Sequence, residues 1–405
     1  MEELSGSVAT QARTPRIIGE VGDGDGPILV VTAALHGNEP SGLKASRRVL
    51  SRLQDEGISV AGRVCVFAGN LTALGESTRF IERDLNRQWT PEKIAALLAG
   101  EGPDDAEAKQ QDELLTLIRE RVAEADSGIF FLDLHTSSAP GKPFLTIGDT
   151  LRNRRFASNI PLPLILGLEE QVDGSLLEYL NNRGLVTMGV EAGQHDDPVS
   201  VDRHEAVMWL ALVQVGMLSR DAIADLHRFQ TLLADDSRGI PKVVEVRHRH
   251  AIHSGDHFKM LPGFCNFDPV AHGQRLGTDD SGPVLTPEEG RVLLPLYQGQ
   301  GDDGFFICRE VSRVWLSISA VLRRLRLGVI MRLLPGVRRC RVDRDRYIVD
   351  TRVARILPLQ IFHLFGYRKL RQQDTLLEVS RRRFDLAAPK SIELPGPPLP
   401  ENAEV

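Results

Sequence analysis

Residues 28–53 read ILVVTAALHGNEPSGLKASRRVLSRL: an apolar run, a polar turn, then an amphipathic run. The first seven residues, ILVVTAA, are continuously apolar and rich in β-branched side chains, as in a strand buried on both faces. Pro40 stands at a candidate first helical position, and the apolar residues after Ser41 recur at helical spacing. The same strand-to-helix alternation spreads outward. Residues 63–68 (RVCVFA), 129–134 (IFFLDL), 162–166 (LPLIL) and 185–190 read as strands, and 91–100, 112–125, 174–182 and 204–216 as helices. The fold class this predicts is α/β, a mixed, mostly parallel sheet flanked by helices.

Beyond Gly239 helical runs give way to period-two alternation, as in KVVEVRHR at 242–249, with frequent Gly and Pro turns. A small β-rich domain is expected over 238–310, after an α/β domain over 1–237. Residues 311–383 then hold 18 Lys/Arg against 5 Asp/Glu, a net of +13. The net charge of the 405-residue chain is −6, so the rest carries −19. Such asymmetry marks a basic module, bounded here as 311–387. Residues 388–405, with five prolines, are expected to be a disordered tail. No apolar run reaches the roughly 18 residues of a membrane span, and the acidic N-terminus lacks a signal-like core. Four scattered cysteines suit a reducing compartment, and a cytoplasmic location is expected.

Four constellations could carry chemistry. His36 and Glu39 follow the first strand in a tight turn and are both suitable zinc ligands. His135 ends the 129–134 strand and could complete a His/Glu/His triad with one position open, with Asp133 behind it. Glu191 ends another strand and could serve as a proton acceptor. The loop TRFIERDLNR at 78–87 offers Arg79 and Arg87 for forked hydrogen bonds to a carboxylate, and Asn86 as an amide donor. Each has an ordinary structural alternative in isolation, such as a capping carboxylate or a solvated charged loop. Together, at the carboxyl ends of strands in one α/β domain, they form a coherent site.

LHGNEPSG (35–42), TRFIERDLNR (78–87), DLHTS (133–137) and VEAG (190–193) resemble the succinylglutamate desuccinylase/aspartoacylase family, within the wider zinc carboxypeptidase-like (M14-type) fold. The resemblance covers about residues 15–220. It implies that 1–237 is a zinc-hydrolase catalytic domain with one zinc per chain on His36, Glu39 and His135. It implies Glu191 as general base and then acid, and Arg79 as the group that polarises the scissile carbonyl. Asn86 and Arg87 would bind a substrate carboxylate, and Arg183 would be a second anchor. The implied activity is hydrolysis of a non-peptide linear amide, the deacylation of an N-acyl amino acid or related small molecule. A carboxypeptidase acting on a peptide C-terminus and a non-catalytic binding protein are the alternatives. The family's tyrosine-rich stretch has only Tyr297 as a counterpart, out of register, which bears on the choice of acyl substrate.

For the basic module, packing on the acidic body or a homo-oligomer interface is favoured over membrane contact. Nucleic acid is not expected as a partner. His248, His250, His253 and His257 lack an obvious carboxylate or thiolate partner for a second metal site.

Overall fold

The computed structural model describes residues 14–397, apart from 23, 342, 344, 355–357 and 374. The strands of the first half are β1 (Ile17–Val21), β2 (Ile28–Ala33), β3 (Arg63–Ala68), β4 (Ile129–Ser137), β5 (Phe144–Thr146), β6 (Leu164–Leu166) and β7 (Val186–Gln194). Those of the middle segment are β8 (Val243–Ala251), β9 (Lys259–Met260), β10 (Pro269–Val270), β11 (Arg275–Asp279), β12 (Gly282–Leu285), β13 (Gly290–Leu293) and β14 (Asp303–Glu310). The last four are β15 (Val337–Arg339), β16 (Arg346–Asp350), β17 (Tyr367–Gln373) and β18 (Leu376–Arg381). The helices are α1 (Ser41–Asp55), α2 (Leu71–Glu76), α3 (Pro91–Ala99), α4 (Ala106–Ala123), α5 (Leu151–Ala157), α6 (Leu176–Asn182), α7 (Val199–Gln214), α8 (Leu226–Asp236), α9 (Arg313–Arg324) and α10 (Pro358–Leu364).

Eleven strands form one mixed sheet in the order β1-β3-β2-β4-β7-β5-β6-β8-β14-β13-β10. At its centre β3, β2, β4 and β7 are parallel neighbours. All six residues of β2 are buried. Because a strand alternates faces, Leu29, Val31 and Ala33 join one core and Ile28 and Val30 the other. The first core is closed by α1, α5, α7 and α8, through residues such as Leu50, Phe156, Trp209 and Leu233. The second is closed by α3, α4 and α6, through Ile94, Leu114, Ile118 and Leu180. This two-sided cover is why these strands read as unbroken apolar runs. Pro40, the expected first helical position, instead takes the N-cap of α1, which begins one place later at Ser41. A side chain at Gly42 would put its Cβ 2.8 Å from Leu134 Cβ and 2.9 Å from Ala33 Cβ, so glycine lets α1 seat directly on the sheet.

The chain leaves α8 near the expected boundary at 237, but the sheet runs across it. β8 pairs in parallel with β6 and antiparallel with β14. The middle segment is therefore an extension of the central sheet, with a small three-stranded sheet β12-β11-β9 beside it.

The basic module folds its own four-stranded sheet, β15-β16-β18-β17, around Tyr347, Val349, Phe362, Tyr367 and Val379. It docks on the acidic body through buried ion pairs. Arg323, 1% exposed at its side chain, lies 2.7 Å from Asp149 and also donates to the carbonyls of Asp149 and His363. Arg382 meets Glu169 at 2.7 Å and Glu170 at 2.5 Å. His363 sits between Glu170, at 3.0 Å, and Glu245, at 2.5 Å. Residues 388–397 lie against the body rather than free of it. Ile392 and Leu394 pack on the second core, and Arg119 donates to the carbonyls of Leu394 and Pro397. Two apolar side chains among the prolines supply that anchor, which composition hid. The rest of the expected tail, 398–405, lies outside the described residues.

Candidate active site

Three adjacent parallel strands deliver the central groups at their carboxyl ends. Thr32 of β2 is level with Asp133 of β4, and His135 of β4 with Glu191 of β7. After β2 the backbone turns sharply at Ala34, whose φ is 56°, in the region disfavoured for a side-chain-bearing residue. The turn carries His36 and Glu39 back toward β4. Gly37 makes room for it: a Cβ there would lie 2.0 Å from the carbonyl carbon of Ala73.

His36, Glu39 and His135 are buried, and one ligand atom from each lies within 4.8 Å of the others. Glu39 Oε1 is 2.9 Å from His36 Nδ1, and Oε2 is 3.1 Å from His135 Nδ1. The far nitrogen of each ring meets a buried aspartate. His36 Nε2 is 3.1 Å from Asp84, and His135 Nε2 is 2.8 Å from Asp133. Asp133 is itself held by the Thr32 hydroxyl at 2.6 Å. Outward aspartates on both rings fix the rings with Nδ1 facing inward, the arrangement that supports histidine ligands around a metal. The donor set suits zinc, one carboxylate and two imidazoles with room for a fourth ligand. Burial works to raise the Glu39 carboxyl, but His36 and His135 outweigh it and hold it well below the usual carboxylate range. Burial works to lower His135, but Asp133 and Glu39 push it well above the usual value.

Glu191 lies beside this group. Its Oε2 is buried with no hydrogen-bond partner among the described residues. Burial pushes its carboxyl up to about 8, and Glu39 and Asp133 add to the rise against His135 and Arg79.

The 78–87 loop is shaped by Glu107, a buried carboxylate at the start of α4. It accepts from the backbone N–H groups of Ile81, Glu82 and Arg83, and from Asn70. Arg79 is thereby held in a fork on Asp84 Oδ2, at 2.9 and 3.2 Å, with Glu39 at 3.8 Å. Asp84 thus joins His36 to Arg79. Burial works to raise the Asp84 carboxyl, but Arg79 and His36 outweigh it and hold it well below the usual range.

A cavity of about 160 Å³ opens over these groups, and Arg79, Asn86 and Arg87 line it with Glu191. Asn86 accepts from the Leu176 N–H through Oδ1, leaving its amide donor for the cavity. Arg87 is paired with Asp303 at 2.8 Å, and its Nε has no hydrogen-bond partner among the described residues. Glu169 and Glu178 form part of the wall.

Arg183 is the expected site residue that the structure does not bring in. Its guanidinium lies over the Tyr179 ring at 5.3 Å and reaches the Glu393 carbonyl at 3.5 Å, away from the cavity. Tyr297 is also turned aside: its hydroxyl donates to Leu261 and accepts from Phe264. Of the middle-segment histidines, His250 stacks on Phe305, and His36, Glu39 and His135 are the one metal-compatible group among the described residues. Sequence reading missed Asp84, His195 and Gln298. His195 contacts Thr136 Oγ1 at 2.8 Å and Gln298 Oε1 at 3.1 Å, and both line the cavity. Gln298 also takes a hydrogen bond from Asn38, so the middle segment closes over the site. Asp84 stood inside the quoted RDLNR block and was the one of these with a signal.

Residues 25–213 match the model of the Succinylglutamate desuccinylase/Aspartoacylase catalytic domain. A succinylglutamate desuccinylase of Shewanella denitrificans is 30% identical over 116 residues, 28% of this chain and 32% of that protein. The chain spans about a third of the length of the curated relatives it matches. Succinylglutamate desuccinylase from Vibrio cholerae has the same fold, with a TM-score of 0.51 at 17% identity over 72% of this chain and 85% of that one. A succinylglutamate desuccinylase/aspartoacylase from Rhodobacter sphaeroides gives 0.52 at 20% identity, covering 73% and 88%.

Proposed function

We infer, for a chain whose residues 25–213 belong to the succinylglutamate desuccinylase/aspartoacylase family, a zinc-dependent deacylase of small N-acyl amino acids. The observation that carries this reading is the convergence of His36, Glu39 and His135 within 4.8 Å, beside a Glu191 oxygen with no partner. These three side chains would hold one zinc ion, which when bound lowers the pKa of water toward about 7 and polarises a carbonyl.

The chain's own residues supply the rest. The substrate lies in the cavity with a carboxylate toward Arg87 and Asn86, whose donors suit it. Arg79 is positioned by Asp84 to face the developing oxyanion, where preorganised positive charge is most effective. Glu191 Oε2 accepts the proton of the attacking water. It then hands that proton to the leaving nitrogen. The products are a carboxylate and a free amine. Asp303 already occupies part of Arg87, so the anchoring carboxylate competes with that pair.

Elemental analysis tests the reading. Purified wild-type protein should carry about one zinc per chain, and His36→Ala should lose it. Wild type should also release the amine from N-acetyl or N-succinyl amino acids in preference to peptides. Metal-replete protein without zinc would overturn the assignment.

A further inference from the structure

Residues 311–341 contain eight arginines and no Asp or Glu. One of them, Arg323, is spent inside, on Asp149. Arg323 and Ser319, whose hydroxyl donates to the Leu364 carbonyl of α10, mark the buried side of α9. The other side faces solvent. Val314, Ile318, Val321 and Leu325 are 66%, 38%, 51% and 63% exposed, and their three- and four-residue spacing puts them in one stripe. Trp315 stands beside it at 54% exposure. The 3-10 turn Leu327–Leu333 continues the surface with exposed Val329, Ile330 and Leu333. Scattered exposed apolar residues are ordinary, but a continuous run of eight marks an interaction surface. Arg313, Arg324, Arg326 and Arg332 are exposed on the same surface, with no ion pair among the described residues.

We propose that this face is a docking surface for an anionic phospholipid bilayer. The stripe enters the boundary between headgroups and acyl chains, while the arginines pair with lipid phosphates. Trp315 is of the type that lodges at that depth. The contact is superficial, since no helix among the described residues is long and apolar enough to cross a membrane. Charge disfavours a second copy as the occupant. A two-fold contact would set the same arginines against each other with no carboxylate on either side. With −19 on the chain outside 311–383, the molecule has one face attracted to anionic lipid and a body repelled by it.

The test uses the full chain and vesicles of phosphatidylcholine, with or without phosphatidylglycerol. The protein should sediment with the phosphatidylglycerol vesicles at low salt, and high salt should release it. Trp89 and Trp209 are buried, so a blue shift of tryptophan emission on binding reports Trp315. Ile318→Ser with Leu325→Ser, and Arg324→Glu with Arg326→Glu, alter exposed positions only. Each pair should weaken binding by roughly tenfold or more, with far-UV circular dichroism and thermal melting unchanged. Absence of sedimentation at low salt overturns the proposal. So does equal binding to phosphatidylcholine alone, or a solution dimer that Ile318→Ser with Leu325→Ser converts to monomer.

Discussion

Glu191 and Asp84 represent two different ways a single carboxylate serves this site. Glu191 Oε2 has no hydrogen-bond partner among the described residues, so Glu191→Gln keeps the shape of the site and removes the proposed proton acceptor. Zinc content should be unchanged, while kcat falls by roughly 10² to 10⁴, the range of a lost general base. A variant that kept its turnover would show the proton going elsewhere. Asp84 touches both His36 and Arg79. Asp84→Asn should weaken zinc binding by about 10- to 100-fold, the usual effect of removing a group behind a ligand. It should also lower kcat by freeing Arg79, so metal titration and kinetics separate its two effects. His36, Glu39, His135 and Glu191 were legible because each ends or follows an apolar strand. Asp84 was harder to read, since RDLNR looks like any solvated charged loop until Glu107 folds it inward. Arg183 misled for the converse reason. It has the right charge ahead of the Glu191 strand, though at a spacing shorter than the family pattern, and its guanidinium lies over a tyrosine face instead.

At the scale of elements, the strand ends set the site and α9 sets the seam between body and basic module. Arg323 is buried with Asp149 and two carbonyls as partners. Arg323→Ala leaves Asp149 sealed in with one cation fewer. That should cost about 3–5 kcal/mol, as breaking a buried pair generally does, and denaturant melts would show it. Arg324→Ala, one residue on and exposed, should change stability by less than about 0.5 kcal/mol. The periodicity that located β2, β4 and β7 could not locate the partner of β8. Edge-to-edge pairing of β6 with β8 joins segments some 80 residues apart, and period-two alternation reports only which face of a strand is buried.

For the whole molecule, the docking of the basic module makes stability depend on pH in a defined window. Burial opposes the charge on His363, but Glu170 and Glu245 outweigh it and raise the imidazole to about 10. Burial likewise opposes the charge on Glu170, but His363 and Arg382 outweigh it and lower the carboxyl to about 2. The His363 contribution is complete below its ordinary value of 6.5 and is lost as pH rises through about 10. The Glu170 contribution is complete above 4.5 and is lost as pH falls toward about 2. The module should therefore hold most firmly between about pH 4.5 and 6.5. Melting temperatures of wild type and His363→Gln should differ most there and converge above pH 10. A constant difference across that range would mean His363 acts by packing alone. The charge imbalance in the sequence left packing on the acidic body and a homo-oligomer interface as the favoured readings for the module. It could not identify the carboxylates, because Asp149, Glu169, Glu170 and Glu245 are brought together only by the folded chain.

One of those carboxylates, Glu169, has a further place in the life of the protein, together with Glu178. Glu169 and Glu178 line the cavity, and each is held by an arginine from near the far end of the chain, Arg382 and Arg368. As the polypeptide leaves the ribosome, the proposed metal ligands are all present by residue 135 and the proposed base by residue 191. The arginines that pin this wall are made about 200 residues later. On the proposed reading, a nascent chain can gather its candidate metal ligands long before this wall is pinned, and turnover would wait on the arginines of the basic module.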